Sequence, residues 1–303
     1  MTKPNTLRNG IAAFAFAAGL MAAPSAGMAV SITPTLDGTT LVNALLGGGG
    51  AGIDLSTVSV SFSGQQSGTT LSAGTYTNAA ASYGIGPGIV ISSGAVDQFG
   101  TSSDFSHGVA ATAAQEALLQ PISGISSHND VTQLDVSFDM LPGFDTIFFN
   151  VTFQSTEFPN FVGTSFVDAF GLFVNGLNVA FVDGDPVNIN HPFMGTDPFN
   201  PGPDNSGVLG SAAAGVDSDG NGNPAIGPFF HTFSSPVDAT GNNLTFIIGD
   251  SGDSALDSFA FISQLGGTPP PPPSEVVEPA SLALLGLGLA GLGVAARRRR
   301  IAA

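Results

Sequence analysis

Leu134-Asp135-Val136-Ser137-Phe138-Asp139-Met140, then Leu141-Pro142-Gly143, then Ile147-Phe148-Phe149-Asn150-Val151-Thr152-Phe153, is the stretch that decides the fold class. In its first segment apolar side chains alternate with Asp and Ser, the two-residue period that turns one face of a strand to a core and the other to water. Ile147, Phe149, Val151 and Phe153 repeat the pattern beyond a Pro-Gly turn signal. Working outward, Val58, Val60 and Phe62 alternate with serines, Leu244, Phe246 and Ile248 form another such face, and Phe259 and Phe261 open a last strand. Asn175-Gly176, Asp183-Gly184 and Thr240-Gly241 supply further turns. Helical periodicity is confined to short pieces at 40–46 and 109–119. The expectation is an all-β domain, a two-sheet sandwich or jelly roll. Regularly spaced repeats are absent, which argues against a propeller or solenoid. Residues 190–226, rich in Pro, Gly, Asn and Asp, read as a long surface insertion.

Composition narrows what such a domain can do. The 303 residues include 24 Phe, enough for a large core, and no Cys, which excludes disulfides and thiolate metal sites. The six basic residues are Lys3, Arg8, Arg297, Arg298, Arg299 and Arg300, all at the two ends. Between Val30 and Pro279 there is no Lys or Arg against all 23 Asp and Glu, so this body carries −23. It can form no Lys or Arg salt bridge, and it lacks the cations that nucleic-acid phosphates require.

The ends read as targeting. Lys3 and Arg8 precede a small-residue apolar run at 11–23, then Pro24 and the small-x-small triplet Gly27-Met28-Ala29. This is the pattern of a secretory signal peptide at 1–29, implying the Sec machinery and signal peptidase as partners. Near the other end, 266–277 is a Gly/Pro-rich linker whose five prolines, Pro269 to Pro273, favour a stiff extended spacer. The apolar stretch at 280–296 would span about 25 Å as a helix, enough for a thin bilayer. Arg297, Arg298, Arg299 and Arg300 after it act as a cytoplasmic stop signal, which leaves the body outside the cytoplasm.

An acidic-Pro motif, a short Leu/Gly/Ala helix and a terminal Arg cluster, in that order, resemble the PEP-CTERM sorting signal of Gram-negative bacteria. Here the signal would occupy 278–303, with a processing motif of Val277, Glu278, Pro279, Ala280 and Ser281. The usual Val-Pro-Glu-Pro reads Val276-Val277-Glu278-Pro279, with Val in place of the first Pro. The resemblance implies exosortase, a membrane-embedded cysteine protease-transpeptidase, as the partner that removes the helix.

Within the body, three segments resemble the choice-of-anchor L domain. They are Gly84-Ile85-Gly86-Pro87-Gly88-Ile89-Val90-Ile91-Ser92-Ser93-Gly94, Gln154-Ser155-Thr156-Glu157-Phe158-Pro159 with Phe166-Val167-Asp168-Ala169-Phe170-Gly171-Leu172-Phe173, and the closing turn Gly249-Asp250-Ser251-Gly252-Asp253-Ser254-Ala255-Leu256-Asp257. The domain would run from 30 to 265. The resemblance implies display on a bacterial surface and supplies no catalytic activity.

Hard carboxylate oxygens beside Gly and Ser turns suit Ca²⁺, which takes six to eight oxygen ligands. Glu157, Asp168, Asp250, Asp253 and Asp257 are the candidate ligands, because no base is available to neutralise them. Asp217, Asp219 and Asn221 match the first half of an EF-hand loop, but Pro228 stands where its bidentate Glu is needed. His107, His128, His191 and His231 show no metal-ligand spacing, and a hydrolase triad would need a Ser positioned beside one of them. Gly84-x-Gly86-x-Gly88 lacks a phosphate-binding helix after it and reads as a strand-entry turn.

The expectation is therefore an exported, exosortase-processed structural or adhesive protein without catalysis. It would be tethered transiently at the inner membrane by its tail, then placed at the cell surface or in an extracellular matrix associated with exopolysaccharide. A Ca²⁺-dependent glycan-binding module is the alternative, and a secreted glycosidase, which needs a cleft with paired carboxylates, comes third.

Overall fold

The computed structural model describes residues 30–47, 50–78, 86–99, 105–158, 160–182, 184–192, 209–210 and 231–268. The signal-peptide, sorting-tail and EF-hand-like readings lie outside these residues. In chain order the main elements are β1 (Ser31–Pro34), α1 (Gly38–Leu46), β2 (Ile53–Ser63), β3 (Ala73–Thr77), β4 (Gly88–Ser92) and α2 (Ala113–Ser123). They continue with β5 (His128–Met140), β6 (Thr146–Ser155), β7 (Ala169–Val174), β8 (Leu177–Asn178), β9 (Leu209–Gly210), β10 (His231–Pro236), β11 (Asn242–Ser251) and β12 (Ser258–Gly266).

Two sheets result. The first runs β1-β3-β4-β12-β6-β9, with β10 also paired to β6, and the second runs β8-β7-β11-β5-β2. All of these pairs are antiparallel except the short β9–β6 pair. Strands β5 and β6, read from alternation, lie in different sheets, so the Leu141-Pro142-Gly143 turn carries the chain from one layer to the other. The core between the layers is built from Leu134, Val136 and Phe138 of β5, Phe149 and Phe153 of β6, Phe170 of β7, Phe246 of β11 and Ile262 of β12. Helix α1 closes the core with Leu41, Val42 and Leu45. Its start is fixed by Asp37, whose carboxylate accepts from the Thr39 N–H (3.1 Å) and the Thr40 hydroxyl (2.7 Å), so the two contacts hold the Asp37 carboxyl below the usual carboxylate range.

The alternation also predicts a water-facing side for each strand, and in β4, β6, β11 and β12 the structure differs, because both faces are largely buried. Val90, Phe259 and Phe261 bury the outer face of the first sheet with Tyr76 and Val96, and α2 covers the outer face of the second, packing Leu119 and Ile122 on Val131, Phe173 and Ile247. Strand β2, at a sheet edge, keeps its serines exposed in the expected way, and in β5 the half-buried or exposed Asp135, Ser137 and Asp139 alternate with buried Leu134, Val136, Phe138 and Met140. The second helix begins later than its apolar periodicity suggests. Ala110 bridges to Asn129, and Thr112 then caps α2 in a reciprocal box with Gln115. It ends at Gly124, whose φ of 75° suits the left-handed cap position. No helix of the described residues is long and apolar enough to cross a membrane.

Candidate functional site: a buried acidic end of the sandwich

Two connections change sheets at the same end of the sandwich. Residues 156–168 lead from β6 to β7, and 252–257 lead from β11 to β12. Glu157 and Asp168 lie on the first connection, Asp253 and Asp257 on the second, and Asp250 near the end of β11 just before it. Thr156 N–H donates to the Asp257 carbonyl (3.0 Å), Ser258 Oγ–H donates to Asp168 Oδ2 (2.7 Å), and Ser251 N–H donates to Asp168 Oδ1 (3.2 Å). Asp168 thus ties the end of β11 to the start of β12. Glu157 is 1% exposed, and Asp168, Asp250 and Asp257 are each 0% exposed, whereas Asp253 is only half-buried.

The buried acids divide by what satisfies them. Asp257 anchors the loop after β4, accepting from the Ala95 and Phe105 N–H groups (both 3.0 Å). Gly94 is required beside it, because a Cβ there would run into the Asp257 carboxyl group. Asp130, which the sequence reading did not single out, accepts from the backbone N–H groups of His107 (2.8 Å), Gly108 (3.2 Å) and Val109 (2.7 Å). Its own backbone is left-handed, at φ 51°, a strain that this nest of donors offsets. Glu157 Oε2 and both carboxylate oxygens of Asp250, by contrast, have no hydrogen-bond partner.

Electrostatics follow from that placement. Burial, then the charges of Asp168 and Asp253, push the Glu157 carboxyl up to about 9. Burial pushes Asp168 up to about 8, opposed by its bonds from Ser258 and Ser251 and reinforced by Asp253 and Asp257. Asp250 is raised well above the usual carboxylate range, first by burial and then by Asp168; the nearby Ser93 hydroxyl opposes the rise without meeting hydrogen-bond geometry. Asp168 is therefore the hub whose charge acts on both open carboxyls. Among the described residues, no three or more His, Asp or Glu side chains are grouped so that they could hold a metal ion.

The structure positions a serine beside each of two histidines, which sequence spacing did not reveal: Ser67 Oγ lies 3.1 Å from His107 Nδ1, and the second pair also has an acid behind the ring. Ser123 Oγ lies 2.9 Å from His128 Nε2, and His128 Nδ1 lies 2.6 Å from Glu116 Oε2. This is the order of a nucleophile, a base and an orienting acid. The same atoms also clamp α2 to β5. Glu116 Oε1 accepts the His128 N–H (2.7 Å), and Ser123 Oγ accepts the Ile125 N–H (3.0 Å) in the turn that ends the helix. His107 and His191 are likewise held structurally, with Nε2 of each at a backbone carbonyl, Gly94 (3.1 Å) and Val182 (2.9 Å). A surface groove of about 300 Å³ lies elsewhere, lined by Val42, Leu46, Leu55, Val58 and Val60 among others, and none of its lining residues is acidic.

The described residues form a mostly β, two-sheet domain, and the sequence that follows runs through a Pro-rich stretch to an acidic-Pro motif, an apolar stretch and an Arg cluster. Residues 30–266 match the choice-of-anchor L domain, and the chain belongs to that family. Residues 277–300 match the PEP-CTERM protein-sorting motif, which implies export, processing by exosortase and display at the cell surface. Neither match is to a catalytic family. No curated protein matches the sequence. Among solved structures, the crystal structure of the Agl-KA catalytic domain aligns with 60% of this chain and 28% of its own length, at 15% identity and a TM-score of 0.21. An overlap that slight carries no argument about fold or activity.

Proposed function

We propose that the chain is a non-catalytic structural or adhesive component of the cell surface, or of an exopolysaccharide-associated extracellular matrix, in a Gram-negative bacterium. The sorting motif carries this reading: it marks the β domain as cargo for exosortase. The use of the buried acids supports it, since Asp130 and Asp257 hold loops rather than line a cleft. A Ca²⁺-dependent glycan-binding role is less well supported. Sugar stacking needs open aromatic faces, and among the described residues most Phe are buried, while Phe181 is 44% exposed. The test is deletion of 280–300 with fractionation of the cells. The shortened chain should appear unprocessed in the periplasm or medium, and the intact chain should lose its tail and remain with the surface or matrix. An intact chain that keeps its tail would show that Val277 in place of Pro defeats processing and that the tail is a permanent anchor.

The Ser123, His128 and Glu116 alignment favours a second reading, acyl hydrolysis. A clamp is the better account, because Ser123 Oγ is already an acceptor for the Ile125 N–H and both Glu116 oxygens hold His128. A fluorophosphonate probe should therefore leave the chain unlabelled. Labelling that disappears in Ser123→Ala while the fold persists would establish a serine hydrolase instead.

A further inference from the structure

We propose that the domain associates with a second copy of itself edge to edge, by antiparallel pairing of β2 with β2 of the copy about Ser61. The inference rests on the reading of the chain as a surface or matrix component and names its partner there. Strand β2 ends the second sheet, and among the described residues it pairs only with β5. Its register with β5 breaks in a bulge between Asp54 and Ser59, then runs without interruption from Ser59 to Ser63. An end strand of this kind turns a row of backbone N–H and C=O groups outward, a template for another strand unless Lys, Pro or an inward charge blunts it. None of these occurs from Leu55 to Ser63. Ser59, Ser61 and Ser63 are exposed, and Leu55 is 60% exposed.

Charge and self-complementarity identify the occupant. The body carries −23, yet residues 55–63 hold no charge. A pairing centred on Ser61 sets Ser59 against Ser63 and Val60 against Phe62, reciprocally. Serines then meet on the outer face, and a β-branched side chain meets an aromatic one on the core face. The two Asp54 carboxylates stand at opposite ends of the interface. Asp135, opposite Ser61 on β5, lies three strand spacings from its copy, about 14 Å, beyond the Debye length of about 8 Å at physiological salt. The groove on this border suits the same arrangement, since Val58 and Val60 line it together with Val42 and Leu46 of α1. Within one chain the Phe62 ring leans toward Gly64, where a Cβ would lie 2.6 Å from it. In the paired copy that direction carries the ring past Val60 toward Val58, over the groove. Five paired residues cover far less than the roughly 1,200–2,000 Å² of stable complexes. Association is therefore weak in dilute solution and builds up where many tethered copies share a surface.

The chain has no Cys, so single cysteines on the exposed face of β2 report the register directly. In the full chain in detergent, under a mild oxidant, Ser61→Cys should form a disulfide dimer at least about tenfold faster than Ser59→Cys or Ser63→Cys alone. Only the axial position brings two Cα atoms within about 4.4–6.8 Å, the range a disulfide spans; the other two stand about 14 Å from their own copies. Mixing Ser59→Cys with Ser63→Cys should restore fast cross-linking. Equal rates at all three positions, which association through the tail would give, overturn the proposal. So does a Ser61→Cys chain that stays monomeric. Cell fractionation decides the surface reading separately: this cross-linking order in a chain that never leaves the cytoplasm would defeat that reading and leave the pairing standing.

Discussion

With a chelator present, the melting midpoint of the chain should fall by about 10 °C or more between pH 5 and pH 9. The direction follows from the raised carboxyls. Glu157 titrates near 9 and Asp168 near 8 in the folded chain, against ordinary values of 4.5 and 3.8, and Asp250 is raised as well. Unfolding above pH 4 therefore releases protons that the native state holds, and stability decreases with each pH increment until the folded groups have ionised. The stabilisation is fully present only below about pH 4, largely lost by pH 7, and gone above about pH 9. Asp37 shifts the opposite way, but it lies on the surface and titrates in the acid range, so it does not affect this window.

The size of the effect is set by coupling as much as by burial. A single carboxyl raised by several pH units is linked to several kcal/mol, but Glu157 and Asp168 share a field and their contributions do not add. A net loss of about 3–5 kcal/mol is a large part of a domain's usual stability, and at about 2–4 °C per kcal/mol it yields the stated shift. Net repulsion within a body of −23 acts in the same direction but is screened by salt. Calorimetry across pH at 0.15 M and at 0.5 M NaCl separates the two, because only the surface component should shrink. A midpoint that rises or stays level from pH 5 to pH 9 would mean that these carboxyls are ionised and satisfied in the native state.

The sequence shows the strands better than their surroundings, for a physical reason. Alternation in Leu134 to Met140 and in Val58 to Phe62 survives in single residues, and both segments form strands where expected. The second covered face of each sheet is less legible. Phe259 and Phe261, whose alternation opens the last strand, join Tyr76 on the outer face of the first sheet, while Ala260 and Ile262 between and after them enter the central core. For the acidic site, the sequence shows Asp250, Asp253 and Asp257 close together and cannot show that Asp168 reaches across to Ser251 and Ser258. Nor could it separate Asp257, satisfied by two backbone N–H groups, from Asp250, satisfied by none. Asp130 was missed because its role depends on a left-handed backbone and on a loop folding back over it. The Ser123 and His128 contact had a sequence signal in its short separation, but only α2 ending at Gly124 turns the hydroxyl to the ring.

Gly88→Ala should cost more stability than most core truncations, about 4 kcal/mol or enough to prevent folding, while Gly86→Ala should cost less than about 1 kcal/mol. Both belong to the Gly84-x-Gly86-x-Gly88 run, so composition alone gives no reason to separate them. Gly88 opens β4 opposite Ser263 of β12. A Cβ there would overlap the Ile262 carbonyl oxygen and stand 3.0 Å from both Ile262 C and Ser263 Cα. Those atoms are backbone in the centre of the first sheet, where β12 pairs with β4 on one side and β6 on the other. Relief requires separating β4 from β12, which would also pull Val90 away from Phe261 and Ile89 away from the central core. At Gly86 the nearest atom is the end of the Gln264 side chain, 3.3 Å away, which can swing aside. Denaturant unfolding of both variants decides the matter: equal small losses would mean that β4 and β12 are not packed as closely as this pairing requires.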